Sequence, residues 1–180
     1  ATGNRFVRTP YMSRVLRGPR VGRDEGLAFV ADALVGDGAG GVVMAGELGV
    51  GKTRRAREAI AAVEDRFAVE WVAATAASSA IPFGALAHLV DDDAVGSAED
   101  RLRMARAITT SLERRAGDRP LLLVVDDAQW LDARAAVVVH QLIASGRTKG
   151  VLPRRTEELA PGPVVACWQG GWTERLEPQP

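Results

Sequence analysis

One eight-residue segment constrains the fold of this chain more than any other feature. It reads Gly46-Glu47-Leu48-Gly49-Val50-Gly51-Lys52-Thr53 and matches the pattern G-x-x-x-x-G-K-[ST]. An apolar run at residues 42–45 precedes it, and apolar residues at helical spacing follow it to about Glu64. Glycines in such a loop let main-chain N–H groups turn towards phosphate oxygens, and the N-terminus of the next helix faces the same anion. The segment therefore predicts a phosphate-binding loop.

The residue types in this loop also predict what it binds. We expect Lys52 to reach the β and γ phosphates of ATP and the Thr53 hydroxyl to bind Mg²⁺. Lys52 and Lys149 are the two lysines in a chain whose other basic residues are arginines. The lysine at position 52 suggests that a compact ammonium is needed there rather than a planar guanidinium.

Two adjacent carboxylates follow the most apolar run of the chain. Residues 121–125 are all aliphatic, which is typical of a parallel strand covered by helices on both faces. Asp126 and Asp127 come at its carboxyl end, where ligands bind in open α/β sheets. We expect Asp126 to hold Mg²⁺ through water and Asp127 to polarise an attacking water. A solvated turn or a helix cap is the alternative for an aspartate at this place.

Strand patterns alternate with helix patterns along the chain, which predicts an α/β fold: a P-loop NTPase with a parallel sheet flanked by helices. Residues 1–20 carry five arginines and few apolar residues, so we expect a mobile arm there and one domain over residues 21–180. Helices are expected at residues 24–35, from the phosphate loop to about 64, and from a capping box at 97–100 to Gly117, and strands at 42–45, 67–73 and 121–125.

Composition excludes some functions. Lys plus Arg equal Asp plus Glu at 23 each, so we expect no direct binding of nucleic acid or anionic membranes. The uncharged stretch at residues 71–90 is interrupted by polar residues and by Pro82, which argues against a membrane span. The N-terminal residues do not resemble a secretory signal, and Cys167 is the single cysteine, so we expect a cytoplasmic protein without an internal disulfide.

Four further side chains invite a chemical role but are interpreted as packing residues. His88 and His140 are each surrounded by aliphatic residues, with no second metal ligand nearby in the sequence. Trp130 is expected to anchor the turn between a strand and a helix. Cys167 is expected to be a small buried apolar residue.

With both motifs in place, the chain resembles the ATPase module of large LuxR-family transcriptional regulators, a branch of the signal-transducing (STAND) ATPases related to AAA+ proteins. The resemblance covers nearly everything after residue 20. Its most specific part is Asp126-Asp127-Ala128-Gln129-Trp130-Leu131-Asp132. Further parts are the phosphate loop with Arg54 and Arg57, Val21-Gly22-Arg23-Asp24-Glu25, Ile81-Pro82-Phe83-Gly84-Ala85-Leu86-Ala87-His88-Leu89 and His140-Gln141-Leu142.

The resemblance implies roles for residues outside the two motifs. Val21, Gly22 and Arg23 are implied neighbours of the adenine and ribose, and Arg155 matches the position of a sensor of the γ-phosphate. It also implies that the sensor strand lies between the two motif strands. The regulators' lid, sensor repeats and helix-turn-helix are not found in the sequence, so the chain is expected to be part of a longer regulator that contacts its other domains or self-associates.

Two departures from the family pattern bear on activity. Pro153 falls within the sensor strand, where proline removes a hydrogen-bond donor from the sheet, and Arg55 replaces an aliphatic residue of the phosphate-loop helix. We expect an ATP-binding switch that hydrolyses ATP slowly. Two alternatives stay open: a stand-alone phosphotransferase acting on a small molecule, and a nucleotide-binding scaffold that does not hydrolyse.

Overall fold

A parallel sheet forms the centre of the protein in a computed structural model that describes residues 20–21, 23–38, 40–90 and 100–178. Within these residues the sheet has six strands in the order β1-β6-β2-β5-β4-β3. The strands are β1 (Arg20–Val21), β2 (Gly41–Gly46), β3 (Ala68–Ala73), β4 (Leu121–Asp126), β5 (Thr148–Arg155) and β6 (Glu174–Pro178). Each strand pairs with its neighbours in parallel. The predicted α/β fold is confirmed.

The strand order puts the two motifs close together. β2 leads into the phosphate loop, β4 ends at Asp126, and β5 lies between them. Met44 of β2 is in register with Pro153 of β5, whereas the register between β4 and β5 ends at Val124 and Val151. Since parallel strands end at the same edge, the loop and the aspartates share one edge of the sheet.

Helices cover both faces of the sheet. They are α1 (Arg23–Val35), α2 (Lys52–Ala61), α3 (Ala76–Ser79), α4 (Asp100–Ala116), α5 (Ala133–Ala144) and α6 (Gly162–Gln169). α1 and α2 pack on one face, and α4, α5 and α6 pack on the other. The aliphatic residues of β4 contribute to a hydrophobic core on each face of the sheet. Leu121, Leu123 and Val125 belong to one core, and Leu122 and Val124 belong to the other. This arrangement explains why the run is continuous instead of alternating.

The observed element bounds differ from the sequence predictions at a few ends. α2 ends at Ala61, and a separate 3₁₀ turn, Glu64–Arg66, precedes β3. Residues 97–99 of the expected capping box lie outside the described residues, as do residues 1–19 of the expected arm. Arg20, the last residue assigned to that arm, pairs with Glu177 in the sheet. Gly117, with φ of 59°, follows α4 as expected of a glycine that ends a helix.

The packing interpretation is wrong for His88. This residue lies in a 3₁₀ segment, Gly84–Leu89, in which Ala85, Leu86 and Leu89 are buried and His88 is exposed. His140 is half-buried on α5, and Trp130 packs against the larger core. Among the described residues, no group of three or more His, Cys, Asp and Glu could hold a metal ion.

A search of the described residues for a membrane-spanning helix gave no candidate of sufficient length and hydropathy.

Candidate nucleotide-binding site

The phosphate loop connects the end of β2 at Gly46 to the start of α2 at Lys52. Gly49 and Gly51 have φ values of 85° and 79°, which glycine adopts at little cost. Gly51 caps α2, and its carbonyl accepts the first helical hydrogen bond from Arg55 N at 2.9 Å. The loop therefore turns back over the N-terminus of α2, where main-chain N–H groups lack partners within the helix.

Lys52 is buried at the base of this loop, with 8% of its surface exposed. Its Nζ donates to the carbonyl oxygens of Gly46, at 2.9 Å, and Glu47, at 2.6 Å. Burial lowers the pKa of Lys52 below its usual 10.5, and Arg155 lowers it further, while Asp127, Glu157 and Asp126 act in the opposite direction. A desolvated ammonium held by neutral carbonyl groups is suited to an anionic ligand such as a phosphate.

Thr53 and Asp126 meet across the sheet edge. Thr53 Oγ1 donates to Asp126 Oδ1 at 2.8 Å, and the same oxygen accepts from Asp127 N at 3.1 Å. A hydroxyl beside a carboxylate offers the oxygen ligands that Mg²⁺ prefers. These residues therefore fit the ion that the sequence predicted at Thr53 and Asp126.

Asp127 leaves the strand in an unusual conformation. Its φ and ψ are 53° and 46°, in the left-handed region, which aspartate adopts more readily than most residues. Its Oδ1 accepts from Gln129 Nε2 at 2.8 Å and lies 3.4 Å from Arg155 Nε. Arg155 and Asp127 are both half-buried, with 29% and 38% of their side chains exposed. The structure thus brings the expected sensor residue to the second aspartate.

Gln129 is a residue that the sequence analysis did not assign to the site. It is 5% exposed, and its Oε1 accepts from the main-chain N–H of Arg155 at 3.0 Å. The sequence did contain a signal for Gln129, because this residue lies within the segment 126–132, the most specific part of the resemblance to LuxR-family modules. The sequence alone gave no partner for its amide group.

The implied adenine neighbours belong to elements other than the phosphate loop. Val21 is in β1, which β6 separates from β2, and Arg23 is the first residue of α1. Gly22 lies outside the described residues. These three assignments stay predictions.

Two open grooves adjoin the site. One, of about 510 Å³, runs along the phosphate loop and the first turns of α2. Its lining residues are Glu47, Leu48, Gly49, Val50, Gly51, Arg54, Arg55 and Glu58. The other, of about 340 Å³, reaches Asp126 between Arg57 and Trp71, whose guanidinium and ring are 5.6 Å apart. Both grooves open beside residues to which the sequence assigns nucleotide and metal binding.

A model of the AAA ATPase domain family matches residues 19–152, which include the phosphate loop, both aspartates and Gln129. The chain belongs to this family. It is therefore a nucleotide-binding AAA-type P-loop ATPase domain. The match ends just before Pro153 and Arg155, the part of the sensor strand where the sequence departs from the expected pattern.

The fold of this AAA ATPase domain is also found among solved structures. The crystal structure of Pif1 helicase from Candida albicans superposes with a TM-score of 0.53 at 16% sequence identity. The alignment covers 85% of this chain and 38% of that chain, so the domain spans well under half of the helicase. A search of curated protein sequences found no match.

Proposed function

We propose that this AAA ATPase domain binds Mg-ATP and hydrolyses it slowly, as the nucleotide switch of a LuxR-type bacterial transcriptional regulator in the cytoplasm. The observation that supports nucleotide binding best is the hydrogen bond between Thr53 and Asp126. It joins the phosphate loop to the carboxyl end of β4, so the residues expected to hold phosphate and metal are neighbours.

Each loop residue has a defined task in this proposal. The N–H groups from Gly46 to Thr53 bind phosphate oxygens, and Lys52 exchanges its two carbonyl partners for the β and γ phosphates. Thr53 and Asp126 hold Mg²⁺, which neutralises charge on the phosphates. Phosphate oxygens are better partners for a desolvated ammonium than neutral carbonyls, because the hydrogen bond is charge-assisted on both sides.

Asp127 is the proposed general base. Its contacts with Gln129 and Arg155 both use Oδ1, so we assign the proton of the attacking water to Oδ2. Water oxygen then attacks the γ-phosphorus, the bond to the leaving β-phosphate oxygen breaks, and ADP and phosphate result. Arg155 lies 3.4 Å from Asp127, so this ion pair can change when the γ-phosphate leaves.

The regulatory part of the proposal rests on the resemblance to LuxR-family modules. In such a switch, ATP favours an assembled state through contacts with other domains or a second copy, and hydrolysis resets it. The ion pair between Arg155 and Asp127 favours this reading over permanent binding, because it couples the sensor position to the proposed base.

Calorimetry with Mg-ATP and a single-turnover phosphate assay test the proposal together. Binding followed by slow release of phosphate from ATP alone supports the switch. Turnover that requires an added acceptor would instead indicate a phosphotransferase, and binding without turnover would indicate a scaffold. No binding of Mg-ATP would refute the proposal at its first step.

A further inference from the structure

We propose that Gln129 is a positioning residue that holds the base Asp127 in place against the end of β5. This inference rests on the hydrolysis proposed above and adds a residue to it. Gln129 touches neither the phosphate loop nor the metal-binding pair in the described contacts, and it acts through Asp127 and Arg155.

The side-chain amide of Gln129 joins two elements. Its Nε2 donates to Asp127 Oδ1 at 2.8 Å, and its Oε1 accepts from Arg155 N at 3.0 Å. The amide orientation is fixed by chemistry, since a carboxylate can only accept and a main-chain N–H can only donate. With 5% of the residue exposed, water competes little for either bond.

The hydrogen-bond pattern of β5 explains why this bridge is needed. Gly150 N donates to Gly40 O and Thr156 N to Gly46 O, so the N–H groups of even-numbered residues in β5 point to β2. Those of odd-numbered residues point to β4, where Pro153 has no N–H to donate. The register between β4 and β5 ends at Val151, two residues before this proline.

Arg155 is the next residue whose N–H points towards β4, and Gln129 supplies its acceptor. The Gln129 side chain thus supplies a hydrogen-bond acceptor to β5 beyond the last residue pair between β4 and β5. Because the same amide also binds Asp127, the carboxylate is tied to β5 twice: through Gln129 and through the Arg155 side chain. This matters because Asp127 sits on a left-handed turn just beyond the strand.

Two substitutions distinguish the two hydrogen bonds of the Gln129 side chain. Gln129→Glu keeps an acceptor for Arg155 N but replaces the donor to Asp127 with a repelling carboxylate. Gln129→Met is close in shape and removes both bonds. Gln141→Glu on the exposed face of α5 is the matched control for the added charge.

The first measurement is hydrogen exchange of the Arg155 amide in the nucleotide-free protein. It should be slow in wild type and Gln129→Glu and about tenfold faster in Gln129→Met, the scale of one lost hydrogen bond. The second is single-turnover hydrolysis. Both Gln129 variants should lose about ten- to 100-fold in rate, since a small displacement of a catalytic group costs on that order, while the Kd of Mg-ATP stays within about twofold.

The outcomes distinguish this inference from the proposed function. Turnover in wild type that is equally fast in Gln129→Glu would overturn the positioning role and leave hydrolysis intact. Equal Arg155 exchange in all variants would show that the bridge does not form. A wild-type protein that binds Mg-ATP and never hydrolyses it would refute the hydrolysis and this role with it. A larger loss of Mg-ATP affinity than of rate would make Gln129 a structural residue only.

Discussion

The hydroxyl of Thr53 donates a 2.8 Å hydrogen bond to the carboxylate of Asp126, although 73 positions separate the two residues in the chain. One residue belongs to the first turn of α2 and the other ends β4. β5 alone separates β4 from β2, the strand that leads into the phosphate loop, so the strand order brings the two motifs together. The pair thus joins two secondary-structure elements at the site.

Replacing Lys52 with alanine should weaken Mg-ATP binding about ten- to 150-fold. The variant loses a charge-assisted contact worth about 1.5 to 3 kcal/mol with the phosphates. Calorimetry measures the effect, and Lys149→Ala is the control, because Lys149 donates to Gly36 O and lies outside the phosphate loop. An unchanged Kd, with the fold intact by circular dichroism, would mean that nucleotide binds elsewhere.

The two aspartates should respond differently to replacement by asparagine. Asp126→Asn removes the partner of Thr53 and should weaken Mg²⁺-dependent ATP affinity. Asp127→Asn should leave affinity nearly unchanged and slow hydrolysis by about 10² to 10⁴, the usual contribution of a general base. Titrations with and without Mg²⁺, followed by single-turnover assays, separate the two. Equal loss of binding in both variants would contradict the division of roles.

Gly51→Ala should weaken nucleotide binding through the backbone alone. A Cβ there meets no atom within 4 Å, but φ is 79°, where a side chain costs about 1 to 2 kcal/mol. Gly162→Ala is the matched control, because its Cβ also meets open space and its φ is not positive, and it should be neutral or stabilising by up to about 1 kcal/mol. Thermal unfolding and calorimetry of both variants test this. Equal behaviour would indicate that the loop does not need its left-handed residue.

The sequence predicted those parts of the site that depend on local pattern. The phosphate loop needs glycines and a lysine at fixed spacing, and β4 needs aliphatic residues on both faces, so each could be recognised without a structure. The strand order around β5 came from the resemblance and is confirmed.

Other features depend on contacts between distant segments. The proposed role of Gln129 rests on the end of the residue pairing between β4 and β5 near Pro153, 24 residues further along, which no local pattern records. The exposure of His88 depends on which side of its segment packs against the core, and the aliphatic neighbours of His88 in the sequence do not record that.

The single cysteine provides a pH-dependent measure of core integrity. Cys167 is fully buried in α6, and burial raises the pKa of its thiol from 9.0 to about 12. The unfolded chain loses this proton above pH 9 whereas the folded protein keeps it, so stability falls as pH rises from about 9 to 12, by about 1.4 kcal/mol per pH unit from this group. Below about pH 8 the contribution is nearly constant.

Comparison with Cys167→Ala isolates this contribution from other groups that titrate in alkali. The difference in free energy of unfolding between wild type and variant, measured in denaturant at pH 7, 8 and 10, should stay nearly constant between pH 7 and 8 and change between pH 8 and 10. A thiol reagent should react with the folded protein no faster than the protein opens. Rapid labelling of the native protein at pH 8, or a difference that does not vary with pH, would show that the thiol is accessible and that α6 does not close this face of the sheet.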